Sequence, residues 1–380
     1  MMKTTVGAYG DWLGRLAIRT PGPLSFRSPR WRNLRAWRTT ALRRALECFA
    51  SPESGRLPKV RTDRAYEWDG LRVEHLSWQL PFGPRTEAIF LKPAATRGRL
   101  PAVLALHSHG GNKWLGWTKV ARGRETPPPI VRHHVENYDE GLFWANELAK
   151  RGYAVLAHDV FPFASRRVRI KDVLPPVRGR ASVRESRTEA GIWRYNDWAG
   201  SHESVVARAL FDAGTTWPGM TLAEDQRALD VLGARGDVDP RRMGCAGLSG
   251  GGMRTCWLGG LDERIACAVS VGFMSTWRDF AVNKCWVHTW MAHVPLLPHE
   301  MDFPEILGLR VPRPTLVLND RQDQLYTPAG MKRADAILRA VYRKAKASEA
   351  YRCSFYPGPH KFDRAMQKEA FQWFDRWLRD

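Results

Sequence analysis

Short apolar segments alternate with amphipathic helical stretches through most of this chain, and this alternation limits the folds open to it. Mainly apolar segments of five to seven residues lie at 102–107, 153–158, 243–248, 265–271, 315–319 and 351–356. Helical periodicity is found near 137–151, 222–235, 253–261, 329–346 and 361–378. Alternating strands and helices of these lengths predict an α/β fold, with a mostly parallel, twisted sheet covered by helices on both faces.

The chain before the first buried segment divides into two parts. Residues 66–100 alternate apolar and polar positions on either side of a Pro-Phe-Gly-Pro turn, which predicts an amino-terminal β-hairpin. Residues 1–65 form a basic extension with an amphipathic helix over 31–49. We expect this helix to pack on its own domain, and a membrane surface is the alternative. Residues 66–380 are then the main domain.

Two long connections interrupt the alternation, at about 160–215 and 273–312. Insertions of this length commonly form lids or substrate-binding walls. The first insertion is rich in arginine, which would favour a substrate that carries a negative charge, such as a carboxylate.

Charge and cysteine usage exclude several classes of protein. Lysine and arginine number 59 against 39 acidic residues, a net charge of +20, but no nucleic-acid-binding motif accompanies the charge. The six cysteines form no C-x-x-C pair, so neither a disulfide scaffold nor a zinc ribbon is indicated. No apolar run approaches the roughly 18 residues of a membrane span. The amino terminus lacks the apolar core of a secretory signal, so we expect a soluble, cytoplasmic protein.

The motif with the clearest chemistry is Gly247-Leu248-Ser249-Gly250-Gly251, which follows a predicted strand and opens a predicted helix. A serine on such a sharp turn projects its hydroxyl above the sheet, and the flanking glycines allow the turn. The placement indicates a nucleophile. The alternative is a glycine-rich turn needed only for close packing of helix on strand.

A serine nucleophile needs a base and a carboxylate that orients the base. Of the 11 histidines, only His360 follows the strand 315–319, in a loop at the end of the last predicted strand. Asp320 and Asp323 both lie just beyond 315–319 and are both candidates for the acid. Asp323 is preferred, because hydrolases with this layout place the acid three residues past the tight turn, and Asp320 would fill the turn itself.

Acyl transfer also needs hydrogen-bond donors for the developing oxyanion. One would be the backbone N–H of Gly250, the residue after the nucleophile. A second would come from the loop His107-Ser108-His109-Gly110-Gly111, from the N–H of His109 or Gly110. The spacing of His107 and His109 lacks a suitable third ligand, so no metal site is expected.

These pieces, in this order, resemble the α/β-hydrolase superfamily, and the loop 107–111 with the segments around Asp323 and His360 resembles its dienelactone-hydrolase-like and acetylxylan-esterase-like branch. The resemblance implies an α/β-hydrolase catalytic domain over 66–380. It implies a serine hydrolase of carboxylic esters, without a cofactor, with Ser249 as nucleophile, Asp323 as acid and His360 as base. Two departures are the absence of the three-glycine HGGG of many lipases and the serine where dienelactone hydrolases proper have cysteine.

The partner expected from this resemblance is a small-molecule ester, with no required nucleic acid. We expect three tryptophans near the site, Trp114, Trp277 and Trp286, to contact the substrate. The alternative is that they form the hydrophobic core of the insertion. Two other functions stay open: a peptidase of the prolyl-oligopeptidase type and a non-catalytic binding protein on a hydrolase scaffold. The sequence does not indicate the oligomeric state.

Overall fold

A single mixed β-sheet lies at the centre of the computed structural model, which describes residues 4–17, 21–96 and 98–379. Within those ranges the sheet has nine strands in the order β1-β2-β3-β5-β4-β6-β7-β8-β9. The strands are β1 Arg61–Trp68, β2 Leu71–Trp78, β3 Thr86–Pro93, β4 Leu100–Ala105, β5 Ala154–His158, β6 Val238–Leu248, β7 Ile265–Val271, β8 Thr315–Asp320 and β9 Tyr351–Tyr356. β1, β2 and β3 pair antiparallel, as do β3 and β5. The remaining pairs are parallel. The predicted mostly parallel sheet with an amino-terminal hairpin is confirmed.

Helices connect the strands. They are α1 Gly10–Leu16, α2 Leu34–Phe49, α3 Pro129–Asp139, α4 Trp144–Lys150, α5 Pro175–Arg178, α6 Glu189–Asp212, α7 Trp217–Gly233, α8 Gly250–Leu261, α9 Trp277–Asp279, α10 Phe303–Gly308, α11 Pro328–Lys344 and α12 Arg364–Phe374. Local chemistry sets several of their starts. The side chain of Thr327 accepts the N–H of Gly330 and precedes a proline at the first position of α11, and Thr216 caps α7 in the same way. Both arrangements satisfy amides that a helix start leaves free.

The two faces of the sheet bury different sets of helices. Along β4, Ala102 and Leu104 pack with the apolar residues of α2, α7, α8, α10 and α11. Val103 and Ala105 pack on the opposite face with those of α4 and α12. Successive residues of a strand point to opposite faces, so a wholly apolar β4 requires cover on both. The predicted two-sided cover is therefore confirmed.

Three features of the fold differ from the sequence prediction. The predicted helix at 137–151 is two helices, because Glu140 adopts a left-handed conformation after α3 and Gly141 follows it with φ +76°. Most of β1 is exposed, so it lacks the apolar alternation by which strands are recognised. The first insertion contains the 24-residue helix α6, which was not predicted. β1 also crosses residue 65, where the sequence suggested the end of the extension.

The amino-terminal helix α2 packs on the main core. Trp37 is fully buried, its ring centroid lies 4.6 Å from that of Phe26, and its indole N–H donates to the carbonyl of Leu24 at 2.7 Å. At the end of α2, the carbonyl of Phe49 accepts the hydroxyl of Thr216 at 2.6 Å. These contacts place the helix on its own domain, as expected. Residues 1–3 and 18–20 of the predicted extension lie outside the described residues.

No helix in the described ranges combines the length and the apolar composition that crossing a bilayer requires.

Candidate active site

Ser249 occupies the turn between β6 and α8. Its backbone has φ +58° and ψ −119°, a strained conformation for a residue other than glycine. The N–H of Ser249 donates to the carbonyl of Val271 at 2.9 Å, which ties the turn to the neighbouring strand β7. The sharp strand-to-helix turn expected of the motif is therefore present, and Ser249 lines a pocket at this edge of the sheet.

Glycine at 251 is required by the close approach of another strand end. A Cβ built on Gly251 would overlap the carbonyl oxygen of Leu106, which follows β4. A Cβ on Gly247 would meet the same oxygen. The loop after β4 is thereby held directly against the turn that carries Ser249.

His360 and Asp323 lie together at the carboxyl ends of β9 and β8. Nδ1 of His360 lies 2.7 Å from Oδ2 of Asp323, and Oδ1 of Asp323 accepts the N–H of Leu325 at 2.9 Å. Nε2 of His360 is buried and has no hydrogen-bond partner among the described residues. It therefore makes no hydrogen bond to Oγ of Ser249. His360 and Ser249 line the same pocket. Catalytic hydrogen bonds are often long in a ligand-free enzyme and tighten when substrate binds.

The second candidate acid, Asp320, has a different role. Its Oδ2 accepts the backbone N–H of Lys361 at 3.1 Å, and its buried Oδ1 has no partner in the described chain. Burial raises the pKa of Asp320 to about 7. Asp320 thus binds the loop that carries His360, whereas Asp323 binds the imidazole itself.

Asp320, Asp323 and His360 offer three possible metal-ligand atoms within 4.8 Å of one another. A cation bound there would compete with the hydrogen bond between His360 and Asp323 and with the N–H on Asp320. The donors therefore fit a hydrogen-bonded acid–base pair better than a metal. His107 and His109, whose spacing was examined for a metal site, contact different groups. Nδ1 of His107 contacts the carbonyl of Ser108, and His109 contacts Glu203.

The loop 107–113 after β4 forms one wall of the pocket through Ser108, His109, Gly110 and Gly111. Gly110 and Gly111 have φ +54° and +63°, a conformation that favours glycine. The backbone nitrogen of His109 lies close to the start of α8, since a Cβ on Gly250 would be only 2.9 Å from it. The candidate donors His109, Gly110 and Gly250 are thus brought together at the pocket.

Helix α6 of the first insertion supports this loop. Oδ1 of Asn196 accepts the backbone N–H groups of Lys113 at 2.8 Å and Trp114 at 3.1 Å. Glu203 lies 2.5 Å from Nζ of Lys113 and 3.3 Å from Nε2 of His109. Burial lowers the pKa of His109 to about 4, and its Nδ1 accepts the N–H of Gly111 at 3.1 Å. The neutral ring therefore donates from Nε2 to Glu203.

The pocket encloses about 310 Å³, near the lower end of small-molecule sites. Its apolar lining comes from several elements: Leu248, Met253, Phe273, Val287, Ala292 and Leu325. Besides His109 and His360, two further polar rings line it. His288 lies in the second insertion and donates from Nε2 to the carbonyl of Leu325 at 3.1 Å, and burial lowers its pKa to about 4. Tyr138 lies on α3, with its ring centroid 6.3 Å from that of His360, and no sequence pattern had indicated it.

The three tryptophans predicted to contact substrate lie elsewhere, and none is among the residues lining this pocket. Trp277 is buried within the second insertion, where it packs on Phe303 and donates to the carbonyl of Met301. Trp286 is 74% exposed. Trp114 packs against Tyr195 and beneath the guanidinium of Arg167, which lies 4.2 Å from its ring centroid.

Comparison with known proteins gives one sequence relative and several structural neighbours. No family model matches the chain. A protein of Bacillus subtilis (strain 168) named "Putative hydrolase YtaP" is 29% identical over 322 residues, covering 84% of this chain and 92% of that protein. A structure described as a "putative acetyl xylan esterase" of Bacteroides fragilis superposes with a TM-score of 0.65 at 18% identity, over 93% of this chain and 84% of that one. Glucuronoyl esterase of Solibacter usitatus superposes with a TM-score of 0.59 at 16% identity, over 89% and 91% of the two chains. The chain has the α/β-hydrolase fold.

Proposed function

We propose that this protein, with its α/β-hydrolase fold, is a serine hydrolase that cleaves carboxylic esters, of the carboxylesterase or acetyl-esterase type. The observation that carries the proposal is the position of His360. Its Nδ1 lies 2.7 Å from Oδ2 of Asp323, its Nε2 has no hydrogen-bond partner among the described residues, and His360 lines the same pocket as Ser249. An imidazole oriented by a carboxylate beside a serine on a strained turn is the arrangement that activates a hydroxyl.

The proposed reaction proceeds through an acyl-enzyme. Nε2 of His360 takes the proton of Ser249 as Oγ attacks the ester carbonyl. The oxyanion of the tetrahedral intermediate accepts hydrogen bonds from the N–H of Gly250 and of His109 or Gly110. His360 then protonates the leaving alcohol. A water molecule repeats these steps and releases the acid.

The pocket supports a small acyl group. Its volume of about 310 Å³ and its largely apolar lining suit acetyl and other short acyl chains. The structural neighbours are described as an acetyl xylan esterase and a glucuronoyl esterase, which supports the ester class without choosing the alcohol. The proposed chemistry needs no cofactor, and we propose that it takes place in the cytoplasm.

Hydrolysis of p-nitrophenyl acetate by the wild type and by Ser249→Ala tests the proposal. We expect the variant to lose at least about a thousandfold in kcat, as removal of a triad member usually does. Ser201→Ala, which alters an exposed serine on α6, is the matched control and should keep full activity. A fluorophosphonate should label Ser249 covalently, which intact-mass and peptide mass spectrometry would locate.

Three outcomes would redirect the proposal. If Ser249→Ala hydrolyses the ester as fast as the wild type, Ser249 is not the nucleophile. If the wild type is labelled at Ser249 yet cleaves only peptides, the prolyl-oligopeptidase-like alternative replaces the esterase. If neither labelling nor hydrolysis depends on Ser249, the scaffold is better explained as a binding protein.

A further inference from the structure

Lys119 is a fully buried lysine directly behind the loop 107–113. Its Nζ donates three hydrogen bonds to backbone carbonyls of that loop: 2.9 Å to Ser108, 2.8 Å to His109 and 2.7 Å to Asn112. The ring of Phe163 covers the amine, with its centroid 4.7 Å from Nζ. Among the ion pairs of the described residues, none includes Lys119. The amine is thus bound by carbonyl dipoles alone.

The contacts of Lys119 select the ammonium form. Burial is the main influence that lowers its pKa, the positive charge of Lys113 adds to it, the carboxylate of Asp159 opposes it, and Arg254 adds a smaller lowering. Each of the three carbonyl oxygens requires an N–H, however, and a neutral amine has only two. A buried ammonium without an acidic partner is costly to the folded state. Its presence at this position therefore suggests a role beyond stability.

The three hydrogen bonds fix the direction of two peptide groups. In a trans peptide the C=O and the N–H point in opposite directions. The carbonyl of Ser108 shares a peptide group with the N–H of His109, and the carbonyl of His109 shares one with the N–H of Gly110. With both carbonyls on Lys119, both N–H groups point away from it. Neither N–H donates to a backbone carbonyl in the described structure, and both residues line the pocket.

We propose that Lys119 is a positioning residue that orients and polarises the two peptide groups that bind the oxyanion. The inference rests on the proposed esterase function and goes beyond it. A cation on the carbonyl oxygen of a peptide draws electron density from its N–H and makes that N–H a stronger donor. The positive charge behind the loop also favours negative charge on the pocket side. Both effects stabilise an oxyanion much more than the neutral carbonyl of the ester, so they act on the transition state.

The test replaces Lys119 with methionine, which has a similar length but no charge and no donor. We expect kcat for p-nitrophenyl acetate to fall by about ten- to a hundredfold, while KM changes less than about twofold. A trifluoromethyl ketone, which forms a tetrahedral oxyanion adduct with the serine, should bind more weakly by the same factor as the fall in kcat/KM. The corresponding methyl ketone, which stays largely trigonal and neutral, should bind as well as before. Lys332→Met, which makes the same change at an exposed lysine on α11, is the control and should alter neither kcat nor the binding of either ketone.

The outcomes separate this inference from the proposed function. If Ser249→Ala abolishes activity but Lys119→Met keeps kcat within about threefold, the role of Lys119 is refuted and the esterase proposal stands. If both ketones weaken equally, Lys119 only supports the loop, and the inference also fails. If Lys119→Met does not fold, Lys119→Gln, which keeps two donors without the charge, should show the same selective loss to a smaller extent. If fluorophosphonate labels Ser249 in neither the wild type nor the variant, both proposals fall.

Discussion

Nδ1 of His360 lies 2.7 Å from Oδ2 of Asp323, whereas Asp320 binds only the backbone N–H of Lys361 on the same loop. Asp323→Asn should therefore lower kcat by about a thousand- to ten-thousandfold, because an amide favours the wrong tautomer of the imidazole. Asp320→Asn should cost less than about tenfold. Initial rates of ester hydrolysis at mildly alkaline pH measure both. The reverse order of the two losses would make Asp320 the triad acid.

Asp320 should also govern how stability depends on pH. Burial raises its pKa in the folded protein to about 7, above the roughly 3.9 of an unfolded aspartate. The folded state thus favours the protonated acid, and its advantage is complete below about pH 4 and is lost as the pH rises through 7. As the pH rises from 5 to 8, the free energy of unfolding of the wild type, measured with urea, should fall by on the order of 2–4 kcal/mol relative to that of Asp320→Asn. Asp212→Asn, at an exposed position, is the control and should show the same pH dependence as the wild type. If Asp320→Asn also shows that pH dependence, Asp320 is not its cause.

Arg254 of α8 and Asp225 of α7 form a buried ion pair, with Nη2 2.6 Å from Oδ1 and both side chains 1% exposed. Arg254→Met should lower the free energy of unfolding by about 3–5 kcal/mol, since it leaves a buried carboxylate without its cation. The double variant Arg254→Met with Asp225→Leu should recover much of that loss. Urea unfolding of the wild type, both single variants and the double variant measures the coupling, and a simple sum of the two single effects would show that the pair is not coupled.

Trp37 packs the amino-terminal helix on the core and offers a third test of stability. Trp37→Ala should destabilise the whole domain by about 3–5 kcal/mol, because it empties a fully buried position. Trp31→Ala, at a partly buried position at the start of the same segment, should cost clearly less. A single unfolding transition is expected for both. A separate early transition in Trp37→Ala would show instead that the extension unfolds independently.

Four arginines of the first insertion, Arg178, Arg180, Arg184 and Arg194, line a cavity of about 550 Å³ beside Trp198. None of them has an ion-pair partner among the described residues. An ester bearing a carboxylate should accordingly have a lower KM than its neutral analogue at low salt, and added salt should remove the difference. Arg180→Glu combined with Arg184→Glu should raise KM for the acidic ester only. Equal activity on both esters at low salt would eliminate the preference for anionic substrates.

The parts of the fold that sequence patterns predicted are those in which burial follows a regular period. β7 has the predicted bounds because buried, mostly apolar residues fill it. β1 was missed because Arg61–Trp68 pairs at the sheet edge and exposes most of its side chains. Helix α6 was missed because residues such as Gly191 and Gly200 weaken its helical pattern.

For the candidate site, the order of motifs along the chain predicted the central residues, but the sequence did not predict which residues line the pocket. His360 could be predicted because it is the only histidine that follows the predicted strand 315–319. In the structure its Nδ1 lies beside Asp323. Trp277 and Phe273 are both aromatic residues of one insertion, yet only Phe273 lines the pocket. Residue type does not reveal which side of an insertion faces the substrate. No sequence pattern indicated Lys119, because lysine is rarely fully buried in folded proteins.

The contacts of α6 with the loop 107–113 constrain how the specificity of this protein could be re-engineered. Asn196 and Glu203 hold the same loop that is proposed to bind the oxyanion, and the arginines that line the 550 Å³ cavity belong to the same insertion. A chimera that exchanges the insertion for a foreign one in order to broaden specificity would therefore also loosen the loop 107–113. Directed evolution should gain new substrates more readily by varying the cavity arginines while Asn196 and Glu203 are left in place.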